Sequence, residues 1–162
     1  MVQAINPDRI VPVQEDLATP FNDFEIIHGF ENMIRKDVPL SADDVNLISG
    51  EWGVIGNNGK ISRVTTSASI NAVMVFAGTE RFDAAANKAV TAVFSPGVVI
   101  RTRSFYNTGG TYNVGTLLAA KDLGSGEAVV TPALAAEAYI GRVTAVGDGY
   151  IEFITETGFM PA

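Results

Sequence analysis

From Gly50 onward, apolar and polar residues alternate in short runs broken by turn residues. That period of two is the mark of half-buried strands. In 50–56, Trp52 and Val54 share a face, and Asn57-Asn58-Gly59 follows. Asn-Gly is a strong hairpin signal because both residues tolerate positive φ. The chain returns with Ile61 on one side and Val64 on the other. In the next run Ile70, Ala72, Met74 and Phe76 alternate, with Val73 and Val75 behind them. Both faces of that run are apolar, which predicts a strand covered on both sides. Further strands are predicted at 90–94, 98–106, 112–120, 128–131, 139–146 and 150–155. In 98–106, Val99, Arg101, Arg103 and Phe105 share a face, and in 150–155 Ile151 and Phe153 point inward. Turns fall at Ser95-Pro96-Gly97, Thr108-Gly109-Gly110 and Gly147-Asp148-Gly149. The body therefore reads as mainly β, a small β-barrel or sandwich. Short helical turns are expected at 131–138 and 83–88.

The first 45 residues follow a different pattern. Pro7, Pro12 and Pro20 each fix φ and bias the residue before them toward extended conformations. Residues 1–20 are thus expected to form an extended arm, with Ile10, Val11 and Val13 belonging to no helical stripe. In 21–36, Phe21, Phe24, Ile27, Phe30 and Ile34 recur at spacings of three and four. This permits one short amphipathic helix, capped by Asn22 or Asp23 and ending at Arg35-Lys36, although Gly29 weakens it. The alternative is a strand at Phe24–Ile27. The domain reading is an acidic arm with a short helix over 1–45 and a β-rich body over 46–162.

Charge sharpens this division. Residues 1–50 carry nine acids and three bases, a net of −6, while the rest nets −1. The whole chain has 162 residues and a net charge of −7, a field that repels polyanions and argues against nucleic-acid binding. Arg101 and Arg103 are the candidates for a small local basic patch. The chain contains no cysteine, which excludes disulfides, zinc–thiolate sites and cysteine nucleophiles. Its longest apolar stretches, 70–78 and 89–94, fall well short of the roughly 20 residues a membrane helix needs. The N-terminus lacks the basic start and apolar run of a signal peptide. Synthesis in a cytoplasm, as a soluble protein, is the expectation.

Candidate chemistry is sparse. The single histidine, His28, has no motif around it, and catalysis by histidine needs an oriented partner. No Gly-x-Ser-x-Gly elbow is present, and Gly124-Ser125-Gly126 reads as a turn. The 108–115 glycines lack the Gly-Lys-Ser/Thr end of a phosphate loop. Asp43-Asp44 and Asp148 lack calcium-loop spacing. Trp52, Phe76, Phe94, Phe105 and Phe153 sit in alternating patterns that read as core. No enzyme, metal or cofactor is expected.

Three stretches carry a resemblance. They are Gly50-Glu51-Trp52-Gly53-Val54 with Gly59-Lys60 and Arg63, Phe94 through Arg103, and Tyr139-Ile140-Gly141-Arg142-Val143 with Gly147-Asp148-Gly149-Tyr150-Ile151. In strand rhythm and turn placement, residues 50–155 resemble the head decoration, or cement, proteins of tailed bacteriophages. The resemblance implies a virion structural protein on the capsid exterior. Such a protein stabilises the assembled shell by bridging neighbouring major capsid subunits, as a homo-oligomeric trimer or dimer. The contact residues expected in the arm are Ile5, Ile10, Val11, Val13 and Leu17. Two alternatives stay open. One is another virion component, such as a tail-tube or head-completion subunit. The other is a small-molecule or carbohydrate-binding β-barrel using Trp52, Tyr106, Tyr112 and Tyr139 as platforms.

Overall fold

The computed structural model describes residues 24–29, 31, 33–41, 47, 50–77, 89–93, 96–106, 111–124, 126 and 128–162. Among the described residues, eleven strands form two antiparallel sheets. The six-stranded sheet has the order β1-β7-β11-β10-β8-β9. Its strands are β1 (Phe24–His28), β7 (Val99–Thr102), β8 (Leu117–Lys121), β9 (Val129–Pro132), β10 (Ala138–Gly147) and β11 (Tyr150–Phe159). The five-stranded sheet has the order β2-β6-β5-β3-β4. It comprises β2 (Arg35–Pro39), β3 (Trp52–Ile55), β4 (Ile61–Arg63), β5 (Ala72–Ala77) and β6 (Ala89–Val93).

The two sheets meet across one apolar cluster. Trp52, Val64, Ala72, Met74 and Val93 enter it from the five-stranded side, and Ile100, Leu118, Ile140, Val143, Ile151 and Phe153 from the other. The Trp52 and Phe153 rings lie 6.3 Å apart at its centre. The opposite face of the five-stranded sheet buries a second cluster of Val38, Leu40, Leu47, Ile61, Val75, Val90 and Ala92. So β5, central in its sheet, sends Met74 to one cluster and Val75 to the other, as its two-sided apolar pattern predicts. Ile61 and Val64 part in the same way.

The barrel expectation does not hold, because neither sheet closes. Each curls until the residues beyond one strand make a single parallel bridge to a far edge. Leu40 bridges Ile61 on β4, and Phe105 bridges Val130 on β9. One bridge per sheet falls short of the continuous ladder that closes a barrel.

The helix expected over 21–36 is also corrected for its described part. Phe24–His28 is β1, paired antiparallel with β7, and Arg35–Pro39 is β2, paired with β6. Gly29 ends β1 at φ +91°, outside the helical region, and a Cβ there would sit 2.7 Å from the Gly97 carbonyl oxygen. The stretch expected to make a helical turn within 131–138 is instead the end of β9, a turn through Ala136 at φ +64°, and the start of β10. Residues 83–88 lie outside the described residues.

Both glycine hairpins form where the sequence places them. Between β3 and β4, the Gly59 N–H donates to the Gly56 carbonyl at 2.9 Å, and the Lys60 N–H donates to Asn58 Oδ1 at 3.0 Å. Gly59 takes φ +75°. Between β10 and β11, Gly147 pairs with Tyr150 around Asp148-Gly149. Along this longest hairpin, aromatic rings lie on strand glycines. A Cβ on Gly147 would overlap the Tyr150 ring, and one on Gly158 would overlap Tyr139. In the core, a Cβ on Gly141 would lie 2.6 Å from Phe153 Cδ2 and 3.1 Å from the Ile154 carbonyl oxygen. Phe153 is 1% exposed and has nowhere to retreat. Gly141→Ala is therefore expected to cost about 1–3 kcal/mol as an overpacking change. Chemical denaturation of the two proteins measures the difference.

Candidate interaction surface and inter-sheet groove

The charged side chains of the strands are largely occupied in holding the fold. On the six-stranded sheet, Arg101 of β7 sits in register between Glu25 of β1 and Glu152 of β11. Its guanidinium contacts Glu25 at 3.2 Å and donates to Glu152 from Nε at 2.8 Å. It also stacks on the Tyr150 ring, 4.7 Å from its centroid. Burial works against the Arg101 charge, but Glu152 and Glu25 outweigh it and raise its pKa above the ordinary value. The basic patch expected at Arg101 and Arg103 is thus half neutralised. Arg103 differs, since its buried Nε and Nη2 have no hydrogen-bond partner among the described residues.

Two ion pairs, each with one buried member, were not visible in the sequence. Glu51, 2% exposed, accepts from Arg63 Nε at 2.5 Å and from the Ala128 N–H at 3.2 Å. It thereby ties β3 to β4 and to the entry of β9. Lys121 at the end of β8 is 5% exposed, and its Nζ donates to both Glu137 oxygens at 2.7 and 2.9 Å. Glu137 Oε2 also accepts the Leu134 N–H at 2.8 Å. The chain from β9 to β10 must pass β8, which lies between them. That passage is why the outward-facing Ala119 and Lys121 are buried.

The aromatic platforms do not assemble into one cage. Trp52 is core, 5% exposed. Tyr139 lies against Gly158. The Tyr112 hydroxyl donates to the Tyr106 carbonyl at 2.7 Å, and its ring meets Phe105 edge-on. The Tyr106 hydroxyl accepts the Leu123 N–H at 2.8 Å. Burial pushes the Tyr112 hydroxyl up to about 12, against a weaker opposing hydrogen bond with Thr131. The unfolded chain ionises this tyrosine near 10. Tyr112 therefore favours the folded state fully below pH 10 and loses that contribution as pH rises through about 12. Ultraviolet titration is expected to show a late-ionising component that Tyr112→Phe removes.

Among the described residues, several large apolar side chains are exposed, three of them on turns or at a strand end. Val114 is 71% exposed, Phe159 64% and Leu134 59%. Phe159 and Leu134 sit on two segments joined by hydrogen bonds, Met160 N–H to the Glu137 carbonyl and Ala136 N–H to the Pro161 carbonyl. The other feature is a groove of about 510 Å³ between the sheets. Its walls include Trp52, Ala72, Met74, Val93, Ile100 and Ile140, with Asn71 and Thr157 among its polar lining.

His28 is exposed at the end of β1, and Asp148 is exposed in its hairpin. Gly124 and Gly126 form a turn whose N–H groups both donate to Asp122 Oδ1. No group of three or more histidine, aspartate or glutamate side chains suited to a metal occurs among the described residues. No helix there is long and apolar enough to cross a membrane. The predicted contact residues Ile5, Ile10, Val11, Val13 and Leu17 lie outside the described residues, as do Phe94, Asp43-Asp44 and the 107–110 glycine loop. The groove and the Leu134–Phe159 corner had no marker in the sequence, because both arise where distant strands meet. Comparison with models of known protein families, with curated proteins and with solved structures finds no match to this chain.

Proposed function

We propose that this protein is a virion structural protein that decorates an assembled capsid and stabilises it by bridging neighbouring major capsid subunits. The observation that carries the reading is the contrast on its surface. Strand charges are tied up in internal pairs such as Glu25–Arg101–Glu152, while large apolar side chains stand bare at Val114, Leu134 and Phe159. Leu134 and Phe159 stand on segments joined by hydrogen bonds, and an apolar corner of this kind suits attachment to another protein surface. The resemblance of residues 50–155 to phage cement proteins points the same way. In this reading Ile5, Ile10, Val11, Val13 and Leu17 of the arm are contacts with neighbouring protein. The mechanism is mass action, since a protein that binds only the assembled shell stabilises that shell.

Co-sedimentation with shells assembled from the cognate major capsid protein, and with the unassembled subunit, tests this. Saturable binding to shells and none to subunits is expected. Equal binding to both, or to neither, overturns the proposal. The inter-sheet groove favours a second reading, a binder of apolar small molecules, in which case shells would capture nothing.

A further inference from the structure

We propose that the free edge of β2, with the groove beside it, takes an extended acidic segment of a partner protein as an added strand. The inference goes beyond the decoration reading and stands whether or not that partner is a capsid subunit.

β2 ends the five-stranded sheet, and among the described residues only β6 pairs with it along Arg35–Pro39. The sheet begins to close on the other side just past the strand. There Leu40 bridges Ile61, and the Ser41 N–H donates to the Ile61 carbonyl at 2.8 Å. Main-chain groups of a paired strand face alternate sides residue by residue. Counting back by twos from Ser41, the main chains of Pro39, Asp37 and Arg35 turn away from β6. Pro39 has no N–H to give to a ladder, which suits it to that side. Asp37 and Arg35 therefore each present an N–H and a carbonyl at the open edge. Arg35, Lys36 and Asp37 are all exposed. Such an edge is a template for one more strand.

Beside this edge lies a second groove, of about 430 Å³, between β2 and the β3–β4 hairpin. Ile34, Pro39 and Ile55 give it apolar walls, with Lys36 on one side and Gly59 on the other. Ile34 is 62% exposed and Pro39 is exposed, so these walls are open to an incoming chain. A hydrogen-bonding edge next to a side-chain groove is the geometry of strand addition.

Charge selects the occupant. Arg35, Lys36 and Lys60 are exposed and enter no ion pair among the described residues. The acid of the strand, Asp37, already accepts the Thr91 hydroxyl at 2.7 Å. On a chain of net charge −7 this edge is locally basic. Lys36 and Val38 share a face, since they pair with Ala92 and Val90 of the second apolar cluster. A fitting strand therefore sets an apolar side chain opposite Val38 and an acid, two residues away, opposite Lys36. A second copy of β2 does not fit. Two copies related by a two-fold axis centre on one residue meeting itself, and centring on Arg35, Lys36 or Asp37 opposes like charges. Centring on Val38 sets Pro39, with no N–H, against the outward main chain of Asp37.

The test uses the full chain and a dye-labelled peptide, Thr-Val-Thr-Glu-Thr-Val-Thr, whose palindromic order fits either strand direction. Fluorescence anisotropy at low salt is expected to show saturable binding. Replacing the peptide's glutamate by lysine is expected to weaken binding by about tenfold, through loss of a charge-assisted contact. Lys36→Glu is expected to reverse that preference, an outcome a misfolded variant cannot give. Asp37→Pro, which removes the outward N–H, is expected to abolish binding, whereas Asp37→Ala retains it. Hydrogen exchange on the wild-type protein reads the same edge without a substitution. The Asp37 amide is expected to slow when peptide is added, and the Val38 amide, directed at β6, to stay as it was. No saturable binding, equal binding of the two peptides to the wild type, or an Asp37 amide that the peptide leaves unchanged overturns the proposal.

Discussion

Glu137→Ala is expected to destabilise the protein by about 3–5 kcal/mol, the range for stranding one partner of a buried ion pair. The effect comes mostly from what is left behind. Lys121 Nζ sits on a side chain 6% exposed, and its acceptors among the described residues are the two Glu137 oxygens. Without them an ammonium remains at the end of β8, shielded from water. The Leu134 N–H loses its acceptor too, which loosens the passage from β9 to β10. The double variant Lys121→Met/Glu137→Gln removes the stranded charge and is expected to be milder than Glu137→Ala alone. Such non-additivity is what two groups in direct contact produce. Urea denaturation of the wild type, the single and the double variant measures it. A Glu137→Ala cost below about 1 kcal/mol would place Lys121 in contact with water after all.

Phe153→Ala has an expected cost of similar size, about 3–5 kcal/mol, by a different mechanism. Phe153 is 1% exposed, meets Trp52 from the other sheet and covers the bare backbone of Gly141. Removing the ring opens a cavity at the junction of the two sheets, and the strands on either side cannot collapse into it without breaking their ladders. At 2–4 °C per kcal/mol for a chain of this size, Tm is expected to fall by roughly 10 °C. Gly141→Ala and Phe153→Ala act on one contact, so the cost of adding Gly141→Ala is expected to shrink when Phe153→Ala is already present. Thermal unfolding of the four proteins completes that cycle.

Much of the body was legible in the sequence because local chemistry and global structure agree there. Asn57-Asn58-Gly59 and Gly147-Asp148-Gly149 needed only their own backbone preferences to set the hairpins. The run ending at Phe76 announced a strand covered on both sides through composition alone. Around β1 the helical reading failed and the alternative strand at Phe24–Ile27 held, for a definite reason. Phe24, Ile27, Phe30 and Ile34 match a helical stripe, yet β7 supplies a ladder for 24–28, and Arg101 supplies a cross-strand partner for Glu25. Gly29, held at positive φ against Gly97, then breaks any helical continuation. Tertiary pairing overrides a weak local period in such a case.

The site features were hidden for another reason. Glu51 and Arg63 stand 12 residues apart and Lys121 and Glu137 stand 16 apart, with no spacing rule to link them. Arg101 and Glu152, 51 apart, meet only because β7 and β11 pair. The groove likewise is made by residues from Trp52 to Thr157 and exists only once the sheets face each other.

The proposed stabilisation of an assembled shell is best read in the heat-induced release of packaged DNA. Particles with and without the protein are heated with a DNA-binding dye, and the release temperature is read for each. Particles lacking the protein are expected to release DNA at a lower temperature, restored by adding the protein back to saturation. An identical release temperature, with the protein shown to be bound, would contradict it.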